Sequence, residues 1–167
     1  MSNLLVLASL LTPLAIPSPV APPGQATTLG GGCQSQFTSS EYNGSGVNPD
    51  ILDSAFGPFI VPGFTGSWDT CTDFSAFTPG SLAILAVGFG ATSGIVLDGG
   101  EILVDPTLPT INYFYFIGGA ELECLSPGIT YDPVLCGLDV YAQWVIFDGL
   151  PAGYTLTNAI HGTIGSV

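Results

Sequence analysis

Residues 138–148 read Leu-Asp-Val-Tyr-Ala-Gln-Trp-Val-Ile-Phe-Asp, and their parity constrains the fold more than any other stretch of the chain. The even positions Leu138, Val140, Ala142, Trp144 and Ile146 are all apolar, whereas the odd positions mix Asp139, Tyr141, Gln143, Val145 and Phe147. A period of two with one apolar side marks a strand that buries one face. After the Gly- and Pro-rich break at 149–153, residues 154–164 alternate again, with Leu156, Ile160 and Ile164 on one side and Thr155, Thr157, His161 and Thr163 on the other. Two such runs across a short breaker predict a β-hairpin at the sheet centre.

Upstream, residues 81–89 are apolar on both parities, which predicts an interior strand buried on both faces. Residues 95–97 and 102–104 flank Asp98-Gly99-Gly100-Glu101, a turn-compatible link that predicts a tight hairpin. Residues 111–117 form another strand. In 120–124, Ala120, Leu122 and Cys124 alternate with Glu121 and Glu123, so the two glutamates are expected on an exposed face. Residues 126–136 read as a Pro-containing loop and 33–66 as loop-dominated. Phe56, Phe59, Phe64, Trp68, Phe74 and Phe77, scattered between Gly and Pro, are expected to plug a core between sheets. With 23 Gly and 14 Pro, long helices are disfavoured. The expectation is an all-β fold, an antiparallel β-sandwich or jelly-roll-like domain of about eight short strands over residues 27–167.

Charge narrows the partners. The chain has no Lys and no Arg against 13 Asp plus Glu and one His, a formal charge of −13. Its carboxylates must be solvated, bonded to backbone N–H groups, or neutralised by bound cations. A chain without cationic side chains repels phosphate, which excludes nucleic acid and anionic membrane surfaces as partners. Because 47% of the residues are hydrophobic and 8% are charged, the chain is expected to fold in spite of its charge.

Residues 4–16 are apolar, too short to span a bilayer comfortably, and interrupted by Pro13. They suit the apolar region of a signal peptide cleaved before Thr27, although Met1-Ser2-Asn3 supplies no basic side chain; the alternative for 1–26 is a retained apolar arm. The four cysteines, Cys33, Cys71, Cys124 and Cys136, lack zinc-site spacing and predict two disulfides in an exported protein. Three connectivities exist; Cys124 with Cys136 and Cys33 with Cys71 is the pairing favoured. The expected location is extracellular or at the cell surface.

Gly32-Cys33, residues 82–89, Val104-Asp105-Pro106, residues 137–148, Leu156-Thr157-Asn158 and Thr163-Ile164-Gly165 together resemble an uncharacterised all-β domain that recurs in large exported proteins of planctomycete-type bacteria. The resemblance covers most of the chain after residue 26. It implies an extracellular structural module with no assigned catalysis.

No catalytic residues are expected. A Ser-His-Asp hydrolase would need His161, which the alternation puts on a Thr-rich strand face, and no G-x-S-x-G occurs. Glu121 and Glu123 lie side by side on one strand instead of across a substrate, so they do not make a glycosidase pair. Gly30-Gly31-Gly32 lacks the Lys and helix of a phosphate cradle. Asn43-Gly44-Ser45 matches a glycosylation sequon. Calcium is the one cofactor the composition invites, through Asp50 with Asp53, Asp69 with Asp73, or Asp98 with Glu101, yet none of these pairs has the spacing of a calcium loop. The leading expectation is a secreted, non-enzymatic structural or interaction domain, a self-assembling subunit of an extracellular filament or surface layer, whose partners are copies of itself or other extracellular proteins. The alternatives are a glycan-binding module using Trp68, Trp144 and tyrosines, and a small secreted hydrolase.

Overall fold

The computed structural model describes residues 38–54, 57–119, 122–149 and 153–166. The 1–26 segment, Cys33, Phe56 and Glu121 lie outside them. Among the described residues fourteen strands run in chain order: β1 (Thr38–Tyr42), β2 (Leu52–Asp53), β3 (Phe59–Ile60), β4 (Gly66–Ser67), β5 (Thr70–Asp73), β6 (Leu82–Gly88), β7 (Ala91–Leu97), β8 (Gly100–Val104), β9 (Thr110–Phe116), β10 (Leu122–Leu125), β11 (Gly128–Ile129), β12 (Asp139–Phe147), β13 (Thr155–Thr163) and β14 (Gly165–Ser166). The fold is all-β and sandwich-like, with no closed barrel among the described residues. The strand number exceeds the expected eight because short pieces such as β2, β3, β4 and β11 fall in segments that read as loop.

The large sheet has the order β1-β13-β12-β6-β9, and every pair in it is antiparallel. The predicted hairpin is therefore present as β12–β13, and β12 is the central strand. Its even residues Val140, Ala142, Trp144 and Ile146 are buried and form the core with Ala83, Leu85, Ile117 and Ile160. Over this inner face lies the small sheet β10-β5-β2. The Trp144 indole N–H donates to Thr72 Oγ1 on β5 at 2.7 Å. The Phe74 ring stands edge-on to Trp144 at 5.5 Å and stacks on Tyr115 at 5.9 Å. Burying an indole with its donor satisfied is favourable, and truncating Trp144 to Ala would remove about 3–5 kcal/mol.

Three sequence expectations change. First, β6 buries one face, not two: Ala83 and Leu85 are inaccessible, whereas Leu82 and Ile84 are half-buried on the outer face. Second, Leu156 and Ile160 lie on opposite faces, because a bulge between Gln143 and Val145 shifts the β12–β13 register and sets Leu156 opposite Val145. Third, the parity of β10 is inverted. Leu122 is 63% exposed, while Glu123 is half-buried and hydrogen-bonds the Tyr115 hydroxyl.

The favoured cysteine pairing is also corrected. Cys71 and Cys124 face each other in the β5–β10 register, with Cα atoms 4.1 Å apart, and are joined by a disulfide. Cys136 is disulfide-bonded as well, and no cysteine among the described residues is free. No helix among the described residues is long and apolar enough to cross a membrane.

Candidate functional site

The β7–β8 hairpin, predicted around Asp98–Glu101, packs over part of the outer face of the large sheet, against β13, β12 and β6. Buried amides make this junction. Gln143 Nε2 donates to the carbonyls of Glu101 and Thr157, and its Oε1 accepts the Leu103 N–H at 2.9 Å. Asn48 Nδ2 donates to the same two carbonyls, and its Oδ1 accepts the Glu101 N–H. Asn158 accepts the N–H groups of Ile51 and Leu52 and donates to the Leu52 carbonyl. Gln143 and Asn48 thus satisfy the Thr157 carbonyl at the β13 bulge together with backbone groups of the hairpin, whereas Asn158 ties β13 to β2. Residues 48, 143 and 158 had no distinguishing signal in the sequence beyond being polar within or beside apolar runs.

Glu101 is itself buried in this junction. Its Oε1 accepts the Gly94 N–H and its Oε2 accepts the N–H and hydroxyl of Ser45. These bonds, that from Gly94 first, hold its pKa below the ordinary 4.5. A Cβ at Gly44 would lie 2.7 Å from that carboxylate, and Gly44 has a positive φ of 39°, so the turn needs glycine twice over. Asn43 of the sequon donates its Nδ2 to the Asn48 carbonyl inside the same turn. Asp53, Asp73, Asp105 and Asp132 likewise accept backbone N–H groups close in sequence. Without Lys or Arg, backbone donors serve as the counter-groups. No cluster of three or more His, Cys, Asp or Glu among the described residues could hold a metal ion.

Beyond the hairpin the outer face has two exposed ends. At the polar end Ser40, His161 and Tyr141 form one cross-strand row. The Ser40 hydroxyl lies 3.4 Å from His161 Nδ1, and His161 Nε2 lies 3.0 Å from Asp139 Oδ1. The Tyr141 ring stacks on the imidazole at 4.7 Å, and the Thr163 hydroxyl donates to Asp139 Oδ1 at 2.7 Å. The structure thus brings His161 together with a serine and an aspartate, which parity alone could not show because β1 read as loop. As a relay the arrangement is poor: the Nε2–Oδ1 contact is close but is not an aligned hydrogen bond.

At the other end the rows are apolar. Phe114 stands beside Ile84 and Val145, and Phe116 beside Leu82 and Phe147. Phe114 and Phe116 are 65% and 69% exposed; the other four are half-buried. This patch runs to the outer edge of β9, which is one of the two edges of the large sheet. Natural edge strands are guarded by charge, Pro, bulges or short length. The other edge, β1, has five residues and carries Glu41, and β7 is broken by a register shift around Gly94. β9 (Thr-Ile-Asn-Tyr-Phe-Tyr-Phe) is seven residues long, without charge or Pro, and pairs with β6 with no register shift. The uncharged run of aromatics was legible in the sequence; its place at an edge was not.

Trp68 and Trp144, the anchors of the glycan-binding alternative, are 1% and 2% exposed and offer no stacking surface. Of the six scattered aromatics, Trp68 and Phe74 lie in the core with Phe77 packed against it, while Phe64 is exposed. No family model, curated protein or solved structure matches the chain.

Proposed function

We infer that the protein is an extracellular, non-enzymatic interaction domain that docks other chains through the β9 edge and the apolar patch beside it. The observation that carries this is the coincidence of an unguarded edge strand with an exposed row of Phe114 and Phe116. Strand addition supplies main-chain hydrogen bonds at such an edge, and the neighbouring pockets select alternate side chains of the incoming strand. The cross-strand disulfide Cys71–Cys124 supports an oxidising location. The resemblance to exported planctomycete-type domains points the same way. The test is a photo-crosslinking phenylalanine analogue at position 114, with position 64 as an exposed control, in protein recovered from its extracellular fraction. Adducts at 114 and none at 64 are expected; no adduct at 114 would remove the docking surface.

A second reading, hydrolysis, has one observation in its favour: the Ser40, His161 and Asp139 contacts. Turnover of an activated ester that disappears in Ser40→Ala, with unfolding unchanged, would establish it. Equal rates for both proteins would eliminate it.

A further inference from the structure

We propose that the occupant of the β9 edge is the β9 edge of a second copy, so that two large sheets join antiparallel into one ten-stranded sheet. This rests on the docking surface inferred above and names its partner.

Charge selects the occupant. Every copy carries −13, so two copies repel over most of their surfaces, and at physiological salt that repulsion persists within about 8 Å and is screened beyond it. Contact is least opposed where both surfaces are neutral. Between Asp105 and Glu121 the chain has no Asp, Glu, His, Lys or Arg, so it carries no charged side chain at neutral pH, and β9 sits in the middle of that interval. A basic partner would be drawn to the carboxylates elsewhere, whereas β9 offers it nothing. A neutral, apolar strand of matched length suits the site, and a second β9 is one.

Symmetry supports the same choice. A two-fold axis perpendicular to the sheet pairs β9 with itself antiparallel and keeps residues of one parity on one face. Asn112, Phe114 and Phe116 of one copy then stand beside the same residues of the other. The two patches of Phe114, Phe116, Leu82, Ile84, Val145 and Phe147 become one apolar surface across the junction. Cross-strand aromatic pairs are among the favourable contacts of antiparallel sheets.

The experiment is sedimentation of the purified full chain at about 20 mM and about 500 mM NaCl, where charges are screened beyond about 20 Å and about 4 Å respectively. A dimer that strengthens with salt is expected. Phe114→Lys lowers the net charge yet places a guard on the edge, so its dissociation constant at high salt should rise by about tenfold or more. Val134→Lys, at another exposed apolar position, makes the same charge change and should leave the dimer intact. If Phe114→Lys perturbs thermal unfolding, Phe116→Lys takes its place. In the wild type, amide exchange across 110–116 should slow on dimerisation. A monomer at both salts, a dimer indifferent to Phe114→Lys and Phe116→Lys, or unchanged exchange in β9 overturns the proposal. Crosslinking at position 114 to a different protein, with the purified chain monomeric, would overturn the self-pairing and leave the docking surface standing. Loss of both would remove the two together.

Discussion

His161 Nε2 lies 3.0 Å from Asp139 Oδ1, and this histidine is the one side chain in the sequence that can offer a carboxylate a cation. Yet the larger influence on Asp139 is the neutral Thr163 hydroxyl, which with His161 holds its pKa below the ordinary 3.8. Thr163→Val should therefore raise the Asp139 pKa toward its ordinary value, as followed by carboxyl NMR titration. An unmoved titration in that variant would show that the hydroxyl is not the controlling contact.

Glu101 is expected to contribute to an acid limit of the fold. Its folded pKa lies below the unfolded value near 4.5, so the unfolded chain binds the proton more readily. The stability this supplies is fully present above about pH 4.5 and is lost as pH falls through the folded value. Denaturant midpoints measured from pH 6 to about pH 3 should fall in the wild type and fall less steeply in Glu101→Gln. Parallel curves would mean that other carboxylates set the acid limit.

The cross-strand disulfide can be mapped directly. Trypsin has no site in a chain without Lys or Arg, so chymotrypsin is the protease of choice, and its digest should yield a Cys71–Cys124 peptide pair. A Cys124–Cys136 pair would contradict the β5–β10 register. Replacing Cys71 and Cys124 together by Ala should cost about 2–4 kcal/mol of stability.

Gly66 tests the packing of the short strands. A Cβ there would lie 1.9 Å from the Phe59 carbonyl oxygen, a backbone atom that cannot move aside alone. Gly66→Ala should destabilise by about 2 kcal/mol or more in chemical unfolding. Gly46→Ala has open space around its Cβ and pays only for its positive φ, so it is the milder comparison.

Self-repulsion among carboxylates predicts that the unfolding temperature rises with ionic strength. Sodium and calcium chloride at matched ionic strength separate screening from binding. An equal rise is expected for sites without a metal-ligand cluster, and an excess with millimolar calcium would reveal a specific site.

The central strands were legible because β12 obeys one parity through Trp144 and Ile146, and a buried face with period two leaves a direct mark on sequence. What failed to show is non-local. β1 (Thr-Ser-Ser-Glu-Tyr) has no apolar alternation, since as an edge strand it takes its place from pairing with β13. Leu156 reads as a core residue on the Ile160 side until the bulge opposite Gln143 is known. The cysteine pairing depends on which strands adjoin across 53 residues, and spacing cannot supply that. The exposed β9 edge is legible only in part: the aromatic content of 110–116 is plain, but exposure of Phe114 depends on sheet order.

That sheet order also has a consequence in time. The central strand β12 and its neighbour β13 are made late, at residues 139–163, whereas β1 is made first among the described strands and has no sheet partner but β13. While the chain grows, β6 and β9 can pair around the intervening β7–β8 hairpin, but the Trp144 side of the core is missing and β1 has nothing to pair with. Closure of the main sheet therefore joins segments about 120 residues apart, a slow step for a topology this non-local.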